Sequence, residues 1–192
     1  MVSEPALRIL GLSGSLRAAS FNTALLRTAI AAAPPNLSFE GFDMSQLPYY
    51  NTDVDHAGPP PEVIQWRELV RGVDGILIAT PEYNHSITGV LKNALDWASR
   101  HPRGIAFAGL AGKPVGITGA GGGAGTARAQ LHLRQVLAET RSLVMVHPTL
   151  MVPLARQKFD ESGKLIDETI ASQVVDFMVA FAAWVKRIKA TA

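Results

Sequence analysis

Apolar positions along the chain keep two alternating rhythms. Five short runs, at 7–12 (LRILGL), 37–42 (LSFEGF), 75–80 (GILIAT), 115–118 (VGIT) and 143–147 (LVMVH), lack a helical period and predict strands. Between them apolar residues recur three and four apart, which predicts helices over 22–33, 61–73, 88–100, 126–140 and 167–189. The helix over 61–73 begins with proline, where a missing N–H costs little. The last is the longest: Ile170, Val174, Phe177, Met178, Phe181, Val185 and Ile188 form one stripe.

Strand alternating with helix implies βαβ units, a parallel sheet and right-handed crossovers. Most of the strand runs are apolar on both faces, as expected when helices cover both sides of the sheet. The second run alternates, which suits an edge. Five strands in this rhythm predict an α/β, doubly wound parallel sheet of the flavodoxin-like kind, order 2-1-3-4-5. Neither an internal repeat nor a linker divides the chain, so residues 1–192 are expected to form a single domain. The polar stretch 153–167 (PLARQKFDESGKLID) predicts a surface loop or hairpin.

Composition narrows the classes of function. The 192 residues are 47% hydrophobic and 18% charged, with a formal net charge of +2, a globular profile. No Lys/Arg-rich run supports nucleic-acid or membrane binding. The lack of cysteine excludes disulfides and thiol chemistry. The start, MVSEPALRILGL, has an early acid and too short an apolar run for a signal peptide, and no stretch approaches the roughly 18 apolar residues of a membrane span. A cytoplasmic location is the expectation.

The candidate chemistry lies in three loops that follow strands. After the first strand comes GLSGSLRAASFNT, far longer than a plain turn needs. It offers hydroxyls on Ser13, Ser15, Ser20 and Thr23, an amide on Asn22, one cation on Arg17, and the N-terminus of the next helix. These suit a phosphate monoester. The alternative is a long loop with Ser20 or Asn22 as helix cap. It is neither a Walker A loop nor G-x-G-x-x-G. The third strand runs into Pro81-Glu82-Tyr83-Asn84-His85-Ser86, where Tyr83 can wall a flat ring, backbone N–H groups can meet ring atoms, and Ser86 or Thr88 can cap a helix; the plainer alternative is an aromatic turn packed on a neighbour. The fourth strand runs into Gly119-Ala120-Gly121-Gly122-Gly123-Ala124-Gly125, a bare backbone shelf or simply a flexible loop. In a doubly wound sheet all three loops open on one edge. A phosphate cradle, an aromatic turn and a shelf together fit a phosphorylated flat cofactor such as flavin mononucleotide, FMN.

At these residues the chain resembles the NAD(P)H-dependent FMN reductase family, in its soluble quinone and chromate reductase branch. The family pattern GSLRxxSxN is met by Gly14 to Asn22, and PEYNxSxPGxLKNAxDW by Pro81 to Trp97, while GTARAQLHLRQ at 125–135 adds a third likeness. The resemblance implies FMN as cofactor and NAD(P)H as reductant. It implies a small-molecule electron acceptor and a homodimer or dimer of dimers. It places Ser15, Arg17, Ser20, Phe21, Asn22 and Thr23 at the phosphate, and Pro81, Glu82, Tyr83 and Asn84 along the ring and ribityl chain. Gly119, Ala120, Gly121 and Gly122 fall beside the ring's pyrimidine side. Three departures stand out. His85 replaces a common aromatic, Thr88 replaces proline, and Ala120 replaces a frequent serine.

The flavin carries the chemistry, so no catalytic side chain is assigned. His85 and Arg128 are candidates for a substrate or subunit contact, against the plainer readings of a rim histidine and a solvated helix residue. No metal site is expected: His101, His132 and His147 lack partners at ligand spacing. Glu82 reads as structural rather than acid–base. The rival functions are a flavodoxin-like electron carrier, disfavoured by the weakly basic charge, and a non-catalytic flavin-binding module, disfavoured by retention of both motifs.

Overall fold

A computed structural model describes residues 6–100 and 109–191. Residues 1–5, which carry the start of the N-terminal reading, and His101 lie outside the described residues. Among the described residues six strands and six α-helices follow one another as β1 (Leu7–Ser13), α1 (Phe21–Ala31), β2 (Leu37–Gly41), α2 (Thr52–Ala57), α3 (Pro61–Gly72), β3 (Gly75–Ala79), α4 (Gly89–Ser99), β4 (Pro114–Ala120), α5 (Ala127–Glu139), β5 (Leu143–Val144), β6 (Leu150–Val152) and α6 (Glu168–Lys189). The strands are parallel in the order β2-β1-β3-β4-β5, with β6 also paired to β4. The predicted order therefore holds.

The fifth position differs from expectation. β5 pairs only with Pro114 and Val115, while β6 takes up β4 again at Thr118, Gly119 and Ala120. Between them Val146 turns outward, 75% exposed, and the chain passes through the cis peptide His147–Pro148. The expected strand over 143–147 thus stops at Val144, and a three-residue strand restores the edge.

Alternation along the central strands divides the core between two faces. Ile9, Leu77 and Ala79 meet α1 and α6, whereas Leu10, Leu12, Ile76, Ile78, Val115 and Ile117 meet α3, α4 and α5. β3 is buried at every position, as a strand covered on both sides must be. β2 buries only Leu37 and is the exposed edge. On the second face Trp66 and Trp97 are fully buried, and both indole N–H groups donate, to Ala94 O and Pro48 O. Arg67 forms a bidentate pair with Asp55 at 2.8 and 2.9 Å, and its Nε donates to Trp97 O. This buried pair fixes α2, which has no other buried side chain.

α6 is the only helix, among the described residues, long and apolar enough to cross a membrane by length and composition, with a mean hydropathy of 1.3 over its most apolar window. Its stripe of Ile170, Val174, Phe177, Met178, Phe181 and Val185 is instead buried against the sheet. The predicted 153–167 excursion is a hairpin closed by the bridge Phe159↔Leu165. It is more than a surface loop, because Ala155 and Phe159 enter the core beneath α1.

Candidate functional site

The carboxyl ends of β1, β3 and β4 lie side by side, and their loops are tied to one another. Gly14 N–H donates to Ala79 O at 2.8 Å. The Thr88 hydroxyl donates to Gly14 O at 2.7 Å and accepts from Leu91 N–H, so Thr88 both caps α4 and fastens its loop to the one after β1. Proline at 88 would supply neither bond. The Asn22 amide spans from α1 to β4: its Nδ2 donates to Ala120 O and its Oδ1 accepts from Ala120 N–H, each at 2.9 Å.

Ser20 is the N-cap of α1, its hydroxyl accepting from the N–H groups of Asn22 and Thr23. The first turn of the helix thereby points into the loop. Ser15 Oγ accepts from Arg17 N–H, and Arg17 Nη2 reaches Ala19 O at 3.4 Å, leaving the guanidinium exposed above the loop. Among the described residues the N–H groups of Leu16, Ala18 and Ala19 have no internal acceptor. Free peptide donors, one cation and a helix N-terminus are the donor set that a phosphate monoester requires.

The loop after β3 is a tight turn in which Tyr83 and Ser86 exchange two 3.0 Å backbone hydrogen bonds. Its central residues, Asn84 and His85, have φ of 50° and 62°, the left-handed pair that a type I′ turn demands. Two contacts brace the turn on α5. The Glu82 carboxylate accepts from the N–H groups of Arg128 and Ala129 at 2.9 and 3.1 Å, and Ser86 Oγ lies 3.0 Å from His132 Nδ1. Thr126 makes no side-chain cap bond, so Glu82 caps α5 from another loop.

The glycine loop is only partly a shelf. Gly119 lies buried within β4, and a Cβ there would collide with Thr126 Oγ1 and Thr80 O; at Gly121 it would collide with Gly125 O. These two glycines serve the tight packing of their own loop. Gly122 and Gly123 face open space and form the accessible ledge.

Ser15, Arg17, Ser20, Phe21, Asn22, Pro81, Glu82, Tyr83, Ala120 and Gly121 line one cleft. Four expected contacts fall elsewhere. Gly119 is interior to β4, and the Thr23 hydroxyl is engaged with Ser13 Oγ at 2.8 Å. Asn84 stands at the exposed tip of the turn beside His85. Gly122 lines an adjoining hollow. The side chains of Asn22 and Glu82 border the cleft but are spent on Ala120 and α5, so they position loops. Arg128 is 55% exposed, with its guanidinium 3.7 Å from Glu82. Sequence reasoning missed the segment Leu154–Gln157, which walls the neighbouring hollow beside Gly121 and Gly122. Its only sequence signal is the position just beyond a strand end.

The fold agrees with that of known proteins. The family model described as NADPH-dependent FMN reductase matches residues 7–157. The chain belongs to that family. This FMN reductase family member is 45% identical over 184 residues to an NAD(P)H-dependent FMN reductase of Pseudomonas aeruginosa, covering 95% of this chain and 97% of the relative. It is 40% identical over 192 residues to an NADPH:quinone oxidoreductase of Arabidopsis thaliana, covering 97% and 95%. The solved structure of the flavoenzyme FerB, an NAD(P)H:(acceptor) oxidoreductase from Paracoccus denitrificans, superposes with a TM-score of 0.83 at 29% identity, covering 95% and 98%. The chain is therefore an FMN-dependent NAD(P)H oxidoreductase, and the carrier and binding-module rivals fall away.

Proposed function

We propose that FMN lies in the cleft at the carboxyl ends of β1, β3 and β4, and that the chain uses NAD(P)H to reduce quinones and similar small acceptors. The convergence of ten residues from three loops and the adjoining ends of α1 and β4 into one cleft carries the reading. When bound, FMN accepts hydride from NAD(P)H and passes electrons to the acceptor. Arg17, the loop N–H groups and the first turn of α1 hold the phosphate. Tyr83, 45% exposed, walls the ring. At the ledge the carbonyls of Gly121 and Gly122 already accept from the N–H groups of Ala155 and Leu154, and the Gly121 N–H is given to Val152 O, so the N–H groups of Gly122 and Gly123 are the donors left for ring oxygens. Asn22, Thr88 and Glu82 keep the three loops in register. No side chain is placed as proton donor.

A homodimer or dimer of dimers belongs to the same reading. The 65% exposed Leu131 on α5 and the groove between α4 and α5 support it, and light scattering tests it. The deciding experiment for function is a visible spectrum of the protein after addition of FMN and desalting, repeated with NADPH without oxygen. Retained flavin bands that bleach are expected; a protein that holds no flavin overturns the assignment of the cleft.

A further inference from the structure

Helix α5 turns one face inward, carrying Ala129, Gln130, Leu133 and Leu137. Three of these are apolar, as burial on an amphipathic helix demands. Gln130 breaks the pattern, and it is only 3% exposed. Ordering a glutamine side chain in a core costs rotamer freedom, and its amide brings both donors and acceptor positions to fill.

The orientation of that amide is fixed by chemistry. One neighbour is the Leu150 carbonyl of β6, which can only accept, so the atom facing it at 3.0 Å is Nε2. The same Nε2 donates to the Thr126 hydroxyl at 3.2 Å, one helical turn back, where the glycine loop ends. Leu150 O also accepts from Thr118 Oγ1 of β4 at 3.0 Å. Thr118, Thr126 and Gln130 are all buried, so three side chains and one carbonyl form an uncharged polar knot. It leaves one atom over. Among the described residues, Gln130 Oε1 is the one buried side-chain polar atom without a hydrogen-bond partner. Such an atom lowers stability, and an apolar side chain of similar length would fill the space without that penalty.

Thr126 is what the knot holds. A Cβ on Gly119 would collide with Thr126 Oγ1, and one on Gly121 would press on its Cγ2 at 3.3 Å. The threonine side chain therefore occupies the space that these two glycines leave. Gly121 and Gly125 bound the ledge in turn, the first donating to Val152 O and the second to Gly122 O, each at 3.0 Å. Gln130 thus ties the end of the loop to β6, and the ledge lies on that tie.

We propose that Gln130 is a positioning residue for the flavin: it clamps Thr126 to β6, sets the Gly122 and Gly123 N–H groups against the ring, and leaves one buried oxygen unpaired to do so. The proposal rests on FMN lying in the cleft. N–H groups at ring oxygens hold the ring more tightly once electrons raise the charge there, so a fixed ledge raises the flavin's potential. A buried group that breaks its local pattern is expected where function uses it.

The test uses Gln130→Met, which keeps the length and removes both polar atoms, and Thr126→Val, which keeps the shape and removes the acceptor. Gln130→Met is expected to leave the melting temperature of the apoprotein within about 3 °C of wild type, because removal of the unpaired oxygen offsets the two neutral bonds lost. In FMN-loaded protein the two-electron potential, read by titration against a redox dye, is expected to fall by about 30 mV in either variant, a tenfold change. The double variant is expected to fall no further than Gln130→Met, since both substitutions break one connection. In apoprotein, amide exchange at Gly121 and Gly125 is expected to quicken about fivefold in either variant, the scale of one hydrogen bond. An unmoved potential in both FMN-loaded variants overturns the proposal and leaves the FMN assignment intact. A Gln130→Met melting temperature more than about 8 °C below wild type also overturns it, by making Gln130 a support of the fold. Should wild type retain no FMN, the functional reading fails, and the apoprotein still decides the clamp: unchanged exchange at both glycines overturns it.

Discussion

His85 occupies a left-handed position, φ 62°, that glycine fills at no steric cost. The preceding Asn84 tolerates such a conformation, but histidine does so only under constraint. The bonds between Tyr83 and Ser86, and the braces from Glu82 and Ser86 to α5, supply that constraint. Replacing His85 with glycine is expected to stabilise the chain by about 0.5 kcal/mol, net of the freedom gained by the unfolded chain. Chemical denaturation checks the sign, and a loss of stability would mean that the imidazole makes a favourable contact. Arg17 is the opposite case, a side chain with only one weak internal bond and an exposed charge. Arg17→Ala is expected to leave the fold intact and to weaken FMN binding by about 1.5–3 kcal/mol, the range for a hydrogen bond to a charged group. A fluorescence titration with FMN reads the change, and unchanged affinity would remove Arg17 from the phosphate site.

Helix α5 begins without a side-chain cap of its own, and the carboxylate that completes it comes from the loop after β3. The N-terminus of one element thereby fixes the turn that presents Tyr83. Glu82→Ala is expected to cost about 1–2 kcal/mol, within the range of lost N-caps strengthened by a helix dipole. It is also expected to alter the flavin spectrum more than the phosphate affinity; thermal melts and the spectrum of bound FMN separate the two. Such a bond joins residues 46 apart, which is why Glu82 reads from sequence as structural but without a partner. The same limit applies to Asn22, legible as a site residue in its motif but not as a bridge to Ala120. What sequence does carry is periodicity, and so the strand order and all long helices are legible. α2 buries a single charged residue and leaves no apolar period to detect. β6 has three residues between Pro148 and Pro153 and no signal of its own until β4 is seen to need a partner. The run of glycines suggested an open shelf along its length, whereas steric fit shows that Gly119 and Gly121 are filled from within.

At the scale of the molecule, the amino end of the sheet is closed by charge. Asp74 follows α3; its Oδ2 accepts from the Arg8 N–H in β1, and its Oδ1 pairs with Lys189 at the end of α6 at 2.8 Å. Burial pushes this carboxyl up, but the hydrogen bonds from Lys189 and the Arg8 N–H, with the charges of Lys189 and Lys113, hold it below its ordinary 3.8. A depressed carboxyl stabilises the fold above its unfolded value and loses that contribution as pH falls through the lower folded value. Asp74→Asn is therefore expected to flatten the acid limb of the melting temperature below about pH 4, and an acid limb parallel to wild type would show the pair to be inert. The carboxyl end is different, because on the proposed function Arg17 and the free N–H groups of the loop after β1 meet a phosphate there. On the proposed function FMN binds the folded state alone, since the cleft draws on β1, β3 and β4 at once. At a free concentration one hundred times its dissociation constant it is expected to add about 2.7 kcal/mol, or roughly 5–10 °C in a chain of this size. The gain should rise with the logarithm of FMN concentration and shrink in Arg17→Ala by the amount of affinity lost. A melting temperature indifferent to FMN in wild type would place the flavin somewhere other than on these three loops.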